Sequence, residues 1–553
     1  MATPASTSDV GGGLASAYQS QKPLEITSEA FTHSLIEIHK HTAPLQPYQE
    51  WEAQFRSPAN NVILPPPARD SDLSFPLNNY YISSSHNTYL LDHQLYGKST
   101  VQGYVNVLQK GCRCVEIDCW DGDDGEPKVD HGWTLTEAIS FKSVCEAIAA
   151  HAFTHSDLPL MISLECHTSI AQQEKMVAIM KAIFGDKLLE NELTDWNVVE
   201  KKLPPPGLLK NKILVKVKYL PPDAQPGGPS STPPAATTAT AAAATTTTTT
   251  TTNPVQELTA QTTNLSIEED EESEGDPEIK KKAPKVKICR ALSSLGVYSS
   301  AMTFPNTFDH PSATRPNHIF SFSEKKFNKL HEEQTDALLT HNKHYLARIY
   351  PHGLRISSSN LNPQEFWRRG AQLVALNWQK VDKGITFNEA MFAGTGGFVL
   401  KPDSHLSNLA TPRLPTDLQK NVHLKITVLA AQSLPLPKGD TDPKGFQPYV
   451  KVVIHLSQTL KQKHKTKHGK GVNLRWEKKN VLDFDVKGVL PELTFVRFKV
   501  YDEEFGKDDK SAWACVRLDR VKTGYGFLRL FDMKGRETNG VLLLHVEKTE
   551  SKA

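Results

Sequence analysis

Neither sign of charge predominates in this chain, whose 553 residues carry 63 Lys and Arg against 62 Asp and Glu. The global basic field that draws in nucleic acid is absent, so any anionic partner has to be met by local patches. No run of about 18 apolar residues occurs, and no membrane-spanning helix is expected. The first residues, Met1-Ala-Thr-Pro-Ala-Ser-Thr-Ser-Asp9, lack a basic stretch followed by an apolar core, so a cytoplasmic protein that meets membranes peripherally is expected. Cysteine is scarce too. Seven residues without regular spacing suit buried free thiols better than a disulfide framework or a metal knuckle.

What the chain does contain changes character along its length, which allows two to four domains. Residues 1–24 are small and polar and are expected to be disordered. Residues 25–75 show helical spacing in Phe31, Leu35, Ile36 and Ile38, then Trp51 and Phe55, without a D-x-[DN]-x-[DN]-G calcium loop. Over 76–220, short apolar runs alternate with helix-capable segments; the runs fall at 80–83, 112–119, 127–130, 158–164 and 213–217. From 221 to 288 periodicity is lost to prolines, a threonine run at 245–252 and the acidic stretch 268–276, a composition expected to be a disordered linker. The cadence resumes over 289–405 with runs at 319–322, 345–350 and 372–378. Five strands before the linker and three after predict a TIM-type (β/α)8 barrel in two halves. Residues 418–549 alternate with period two between turn signals, as in an all-β antiparallel sandwich.

Two stretches carry most of the chemistry, Ile82-Ser-Ser-Ser-His86-Asn87-Thr-Tyr-Leu90 and Gly111-Cys-Arg-Cys-Val-Glu116-Ile-Asp118-Cys-Trp120. Glu116 and Asp118 are two apart on one strand, so both point to the same face. Asn87 follows the first strand and Glu165 ends a later one. Together they offer an amide oxygen and three carboxylates, the hard donors that calcium takes. An acidic pair alone is as often solvated surface, but four donors at strand ends converge on one barrel mouth. His86 and His131 also sit at strand ends. Lys216 and Lys218 alternate onto one face, Arg348 can fork onto a phosphate, and Tyr350 can stack on a ring.

These motifs, with Ser357-Ser-Ser-Asn360 and Gly370-Ala-Gln-Leu-Val-Ala-Leu-Asn377, resemble the eukaryotic phosphoinositide-specific phospholipases C of the delta type. The resemblance implies X and Y half-barrels split by the linker, with a C2 sandwich after them. It implies calcium-dependent cleavage of phosphatidylinositol 4,5-bisphosphate to diacylglycerol and inositol 1,4,5-trisphosphate through a cyclic inositol phosphate. The implied catalytic set is His86, His131, Glu116 and Glu165. The implied calcium ligands are Asn87, Glu116, Asp118 and Glu165. Lys216, Lys218, Ser321, Arg348 and Tyr350 would hold the substrate, and Leu95, Trp133, Leu135 and Leu354 would form a rim that dips into the bilayer. The linker would act as an inhibitory flap, its acidic residues repelled by an anionic membrane. The implied partner is an anionic phosphoinositide membrane surface met by a monomer, with no nucleic acid.

The chain also departs from that pattern. It is expected to be a short form without a pleckstrin-homology domain or four EF-hands, with residues 25–75 read as an EF-hand-like remnant. In the C2-like region, Phe446-Gln447-Pro448-Tyr449 places an amide where a calcium aspartate is expected, although Asp440, Asp442, Asp502, Glu504, Asp508 and Asp509 remain on loops. A basic run at 461–470 reads equally as an anionic-lipid contact or a solvated loop. Two rival functions stand beside the enzyme: a catalytically silent phosphoinositide-binding scaffold and a glycerophosphodiester phosphodiesterase. The H-R-G and E-x-D arrangement of the latter is not reproduced around His86.

Overall fold

A computed structural model describes residues 22–132, 138–194, 196, 202–221, 288–407, 418–476 and 480–553. The expected disordered linker and most of the expected disordered N-terminus lie outside these residues. Two N-terminal helices come first, α1 (Glu29–Thr42) and α2 (Tyr48–Phe55). Ser28 caps α1 by accepting from the Phe31 amide, satisfying one of the open donors of its first turn. Leu24, Phe31, Leu35, Ile38 and Phe55 are buried against Ala430, Phe527, Val541 and Leu543, so this segment packs on the C-terminal domain.

The barrel follows. Its strands, in chain order, are β1 (Tyr80–Ser85), β2 (Cys114–Asp121), a hairpin of β3 (Pro127–Val129) and β4 (Ile139–Ser140), then β5 (Leu160–Cys166), β6 (Ile213–Lys218), β7 (Ser300–Ala301), β8 (His318–Ser323), β9 (Leu346–Tyr350), β10 (Leu373–Leu376) and β11 (Phe398–Leu400). Parallel pairing runs β1, β2, β5, β6, β7, β8, β9, β10 and closes from β10 back to β1. Eight parallel strands form the closed barrel, as the cadence predicts. Membership differs from the expectation, because β3 pairs antiparallel with β2 and lies outside the barrel. The missing strand is β7. Two residues are too short to show a period, so β7 is hidden in the sequence. The barrel therefore divides four and four across the linker.

Helices cover it: α3 (Val101–Gln109), α4 (Phe141–His151), α5 (Ile170–Phe184), α6 (Arg290–Ser294), α7 (Glu324–Glu333), α8 (Thr335–His344), α9 (Pro363–Trp367) and α10 (Lys383–Phe392). The strand period of two sorts the side chains. Val115, Ile117, Ile162, Leu164, Val215 and Val217 join the large core that includes α3 to α5. The alternate residues face the barrel axis. Ile82, Cys114, Met161, Leu214, Ile319, Leu346 and Leu373 make an apolar plug at the strand starts. Two residues further along come Glu116, Ser163, Lys216, Ser321 and Arg348, and two beyond those Asp118, Glu165, Lys218 and Tyr350. The interior thus turns from apolar to charged toward the C-terminal ends of the strands.

The C-terminal domain is an antiparallel sandwich of β12 (Lys420–Gln432), β13 (Pro448–His455), β14 (Lys461–Lys465), β15 (Leu474–Arg475), β16 (Val481–Val489), β17 (Phe495–Asp502), β18 (Asp509–Arg517), β19 (Gly524–Phe531) and β20 (Glu537–Lys552), with a core of its own. It is tied to the barrel by buried polar contacts. Arg517 pairs with Asp70 at 2.8 Å, and Gln364 donates to the His455 and Leu493 carbonyls at 2.8 Å each. No helix among the described residues is long and apolar enough to cross a membrane.

Candidate active site

The register of β2 against β5 places Asp118 beside Glu165, and the pleat puts Glu116 on the same face as Asp118. One carboxylate oxygen from each lies within 4.8 Å of the other two. Glu116 and Asp118 are buried and Glu165 is half-buried. Asn87 reaches the same group from the end of β1. Its backbone takes the left-handed conformation (φ 42°), and its N–H donates to Glu116 Oε2 at 2.9 Å. Asn87 Nδ2 donates to Gln94 Oε1 at 2.8 Å, which assigns the amide oxygen to the other side. Clustered carboxylates repel one another when buried, and hard oxygens at this spacing fit a divalent cation such as calcium.

The neighbours hold the donors in place. Tyr89 OH donates to Asp118 Oδ2 at 2.5 Å, and His167 Nε2 lies 2.6 Å from Glu165 Oε1. Arg348 Nη2 pairs with Glu116 Oε1 at 2.6 Å, both side chains almost fully buried. The expected substrate fork is thus an ion-pair partner of an expected ligand.

His86 Nδ1 lies 2.9 Å from Asn377 Oδ1, an acceptor, so Nδ1 carries the proton and Nε2 is left for a reacting group. One nitrogen of His131 bonds the Gln94 main chain, and Nδ1 has no partner among the described residues. Burial pushes both histidines below the usual imidazole range. For His86 the Glu116 carboxylate opposes that shift.

The remaining expected site residues fall as follows. Lys216, 8% exposed, donates to Ser163 Oγ at 3.3 Å, while Lys218 is exposed one layer nearer the mouth. Ser321 Oγ is buried without a partner among the described residues, beside Arg348 in the β8–β9 register. The Tyr350 ring lies parallel to His86, 6.5 Å between centroids. Leu354 is exposed on the rim and Leu95 is half-buried. Trp133 and Leu135 lie outside the described residues.

Sequence reasoning missed several residues. Gln94 is buried and joins Asn87, Ser358 and Asn377 in one network. A single glutamine on a loop gives no signal. Asn377, which orients His86, stands just past the end of β10, and that position alone could have marked it. Tyr96 and Ile356 are exposed beside Leu95 and Leu354, on two loops joined by the Gln94 N–H to the Ile356 carbonyl at 3.0 Å.

Comparison with known proteins matches the two halves of the barrel. The X domain of phosphatidylinositol-specific phospholipase C matches residues 73–219, and the Y domain matches residues 292–404. The 1-phosphatidylinositol 4,5-bisphosphate phosphodiesterase delta-3-A of Danio rerio is 35% identical over 496 residues, covering 86% of this chain and 58% of that protein. Inactive phospholipase C-like protein 2 of Homo sapiens is 33% identical over 491 residues, covering 86% of this chain and 40% of that one. The crystal structure of S. officinalis PLC21 superposes with a TM-score of 0.71 at 26% identity, covering 98% of this chain and 66% of that chain. The chain therefore spans less than two thirds of the length of these relatives. Matched halves of one barrel, and relatives over most of its residues, identify its family: the chain belongs to the phosphatidylinositol-specific phospholipases C, of the delta type.

Proposed function

We propose that the chain hydrolyses phosphatidylinositol 4,5-bisphosphate at a membrane surface, giving diacylglycerol and inositol 1,4,5-trisphosphate through a cyclic inositol phosphate. The observation that carries this reading is the gathering of Glu116, Asp118, Glu165 and Asn87 beside His86 and His131 in one barrel mouth. Asn87, Glu116, Asp118 and Glu165 would hold calcium. When bound, it would lower the pKa of the inositol 2-hydroxyl and offset charge on the phosphoryl oxygens.

The side chains would divide the remaining work. A carboxylate, Glu116 or Glu165, takes the proton of the 2-hydroxyl as its oxygen attacks phosphorus. His86, held by Asn377, offers Nε2 to the phosphoryl oxygens. His131 protonates the departing glycerol oxygen, and in a second step it accepts a proton from the water that opens the ring. Lys216, Lys218 and Ser321 would meet the ring phosphates, and Arg348 would join them if calcium took its place as the countercharge of Glu116. Exposed Leu354, Tyr96 and Ile356 would rest in the bilayer interface around the mouth.

A silent scaffold is the second reading, favoured by the 33% identity to an inactive phospholipase C-like protein. One assay separates the two. Calcium-dependent release of water-soluble inositol phosphates from vesicles is expected for the wild type. His131→Ala and Glu116→Gln should each lower it by about two to four orders of magnitude. A folded wild type that binds the vesicles yet releases nothing across a calcium titration would establish the scaffold.

A further inference from the structure

The opposite end of the barrel holds a second polar cavity that the proposed catalysis does not use. Its volume is about 230 Å³, and its lining includes His331 of α7, Lys343 at the end of α8, Glu365 of α9, and Arg368 and Arg369 just after α9. Lys343 precedes β9 and Gly370, another lining residue, precedes β10, so the cavity lies at the strand starts. The candidate active site sits at the strand ends, across the apolar plug.

Cations crowd this place. Arg368 and Arg369 form no ion pair within 4.0 Å among the described residues, although Glu365 acts on both from farther away and Glu332 on Arg369. Arg369 Nη1 donates to the neutral Asn328 Oδ1 at 2.5 Å, and Arg368 Nη1 is buried without a hydrogen-bond partner among the described residues. Lys343 is 5% exposed. Lys401, fully buried nearby, donates to the Asn342 carbonyl at 2.8 Å and lies 6.0 Å from the centroid of the Tyr81 ring. Burial and the neighbouring Lys343 hold its ammonium well below the usual lysine range. Glu365 is the one carboxylate in the lining. Both arginines are half-buried with Glu365 as a nearby carboxylate, and the buried Arg368 Nη1, which lacks an acceptor among the described residues, is costly to leave uncompensated. Here the missing countercharge has a space ready for it. The volume is below the several hundred Å³ of a typical organic-ligand pocket yet far above that of one water.

We propose that this cavity binds a small, soluble phosphate-bearing anion, held by the Arg368 and Arg369 guanidinium groups with Lys343 supplying further positive charge. Guanidinium donors match the tetrahedral oxygens of phosphate in pairs, which chloride cannot exploit. Because the cavity opens away from the mouth, a lipid headgroup engaged there would be out of reach, and a dissolved anion is the occupant. The N-terminal face of such barrels serves stability, so the expected effect is on the fold.

Thermal unfolding of the full chain with inorganic phosphate, at ionic strength matched by sodium chloride, tests this. An anion that binds only the folded state raises the midpoint saturably. A rise of a few degrees is expected for the wild type and for the Lys216→Gln/Lys218→Gln variant, whose changes lie at the mouth. The rise should be lost in Arg368→Gln/Arg369→Gln. Should that variant fail to fold, Leu339→Glu decides, because it sets a competing carboxylate in the lining and leaves both arginines in place. No saturable rise in the wild type, a rise that survives in the cavity variants, or one abolished by the mouth variant would each overturn the proposal.

Discussion

Two acidic clusters in this molecule have the same spacing and opposite settings. Glu116, Asp118 and Glu165 in the barrel, and Asp440, Asp502 and Glu504 on the C2 loops, each place three carboxylate oxygens within 4.8 Å of one another. In the barrel two of the three are buried, and Asn87, Tyr89, Arg348 and His167 contact them. On the C2 loops two of the three are exposed, and among the described residues only Asp502 of the three accepts a main-chain bond, from the Gln447 N–H at 2.8 Å. The difference teaches that carboxylate spacing alone does not define a site. Side chains that hold the donors, and histidines that can move protons, distinguish the first cluster from the second.

The sharpest way to break that comparison is to neutralise one carboxylate in each. Asp118→Asn should lower activity on phosphoinositide vesicles by about 100-fold or more, while Asp502→Asn should change it less than about tenfold. Calcium titrations of both variants check the same point. Equal losses would make the two clusters equivalent and remove the argument from support. Next in size is Arg348→Met, which leaves Glu116 charged and unpaired in the barrel. Breaking a buried pair in this way costs about 3 kcal/mol, read as a lower denaturant midpoint without calcium. Calcium should restore part of the loss, because a cation replaces the guanidinium as countercharge. A variant as stable as the wild type would show that Arg348 is held for the ligand alone.

Much of this was legible in the chain, for a physical reason. Where the barrel interior turns polar the strand period shows in the sequence, so Glu116-x-Asp118 and Lys216-x-Lys218 announce one face each, and seven of the eight barrel strands appear as apolar runs. The identity of the strands was less legible. The run at 127–130 has a strand's composition, yet β3 spends it on a hairpin with β2. The two residues of β7 carry no period at all. Contacts between distant loops left even less trace. Gln94 meets Ser358 and Asn377, more than 260 residues away, and nothing in its local sequence marks it. The Arg348–Glu116 pair is hidden for the same reason, since each residue taken alone reads as a binding group.

The smallest effect concerns the C2 cluster without calcium. Burial pushes the Asp502 carboxyl above the usual carboxylate range, and the nearby Asp440, Asp508 and Asp509 add to the shift. The folded state therefore holds a proton there more tightly than the unfolded chain does. Above the raised folded value the group is charged in both states and the fold carries a penalty; below the unfolded value, near 4, it is protonated in both and the penalty is gone. Asp502→Asn removes the charge and can keep the bond from Gln447 through its amide oxygen. The variant should be more stable than the wild type at neutral pH by under about 1 kcal/mol, with solvent screening keeping the gain small. The gap should close as pH falls through the carboxylate range, and calcium at neutral pH should narrow it if the loops bind the ion. A loss of stability at neutral pH without calcium would mean that this cluster, like the one in the barrel, is held by partners rather than strained by repulsion.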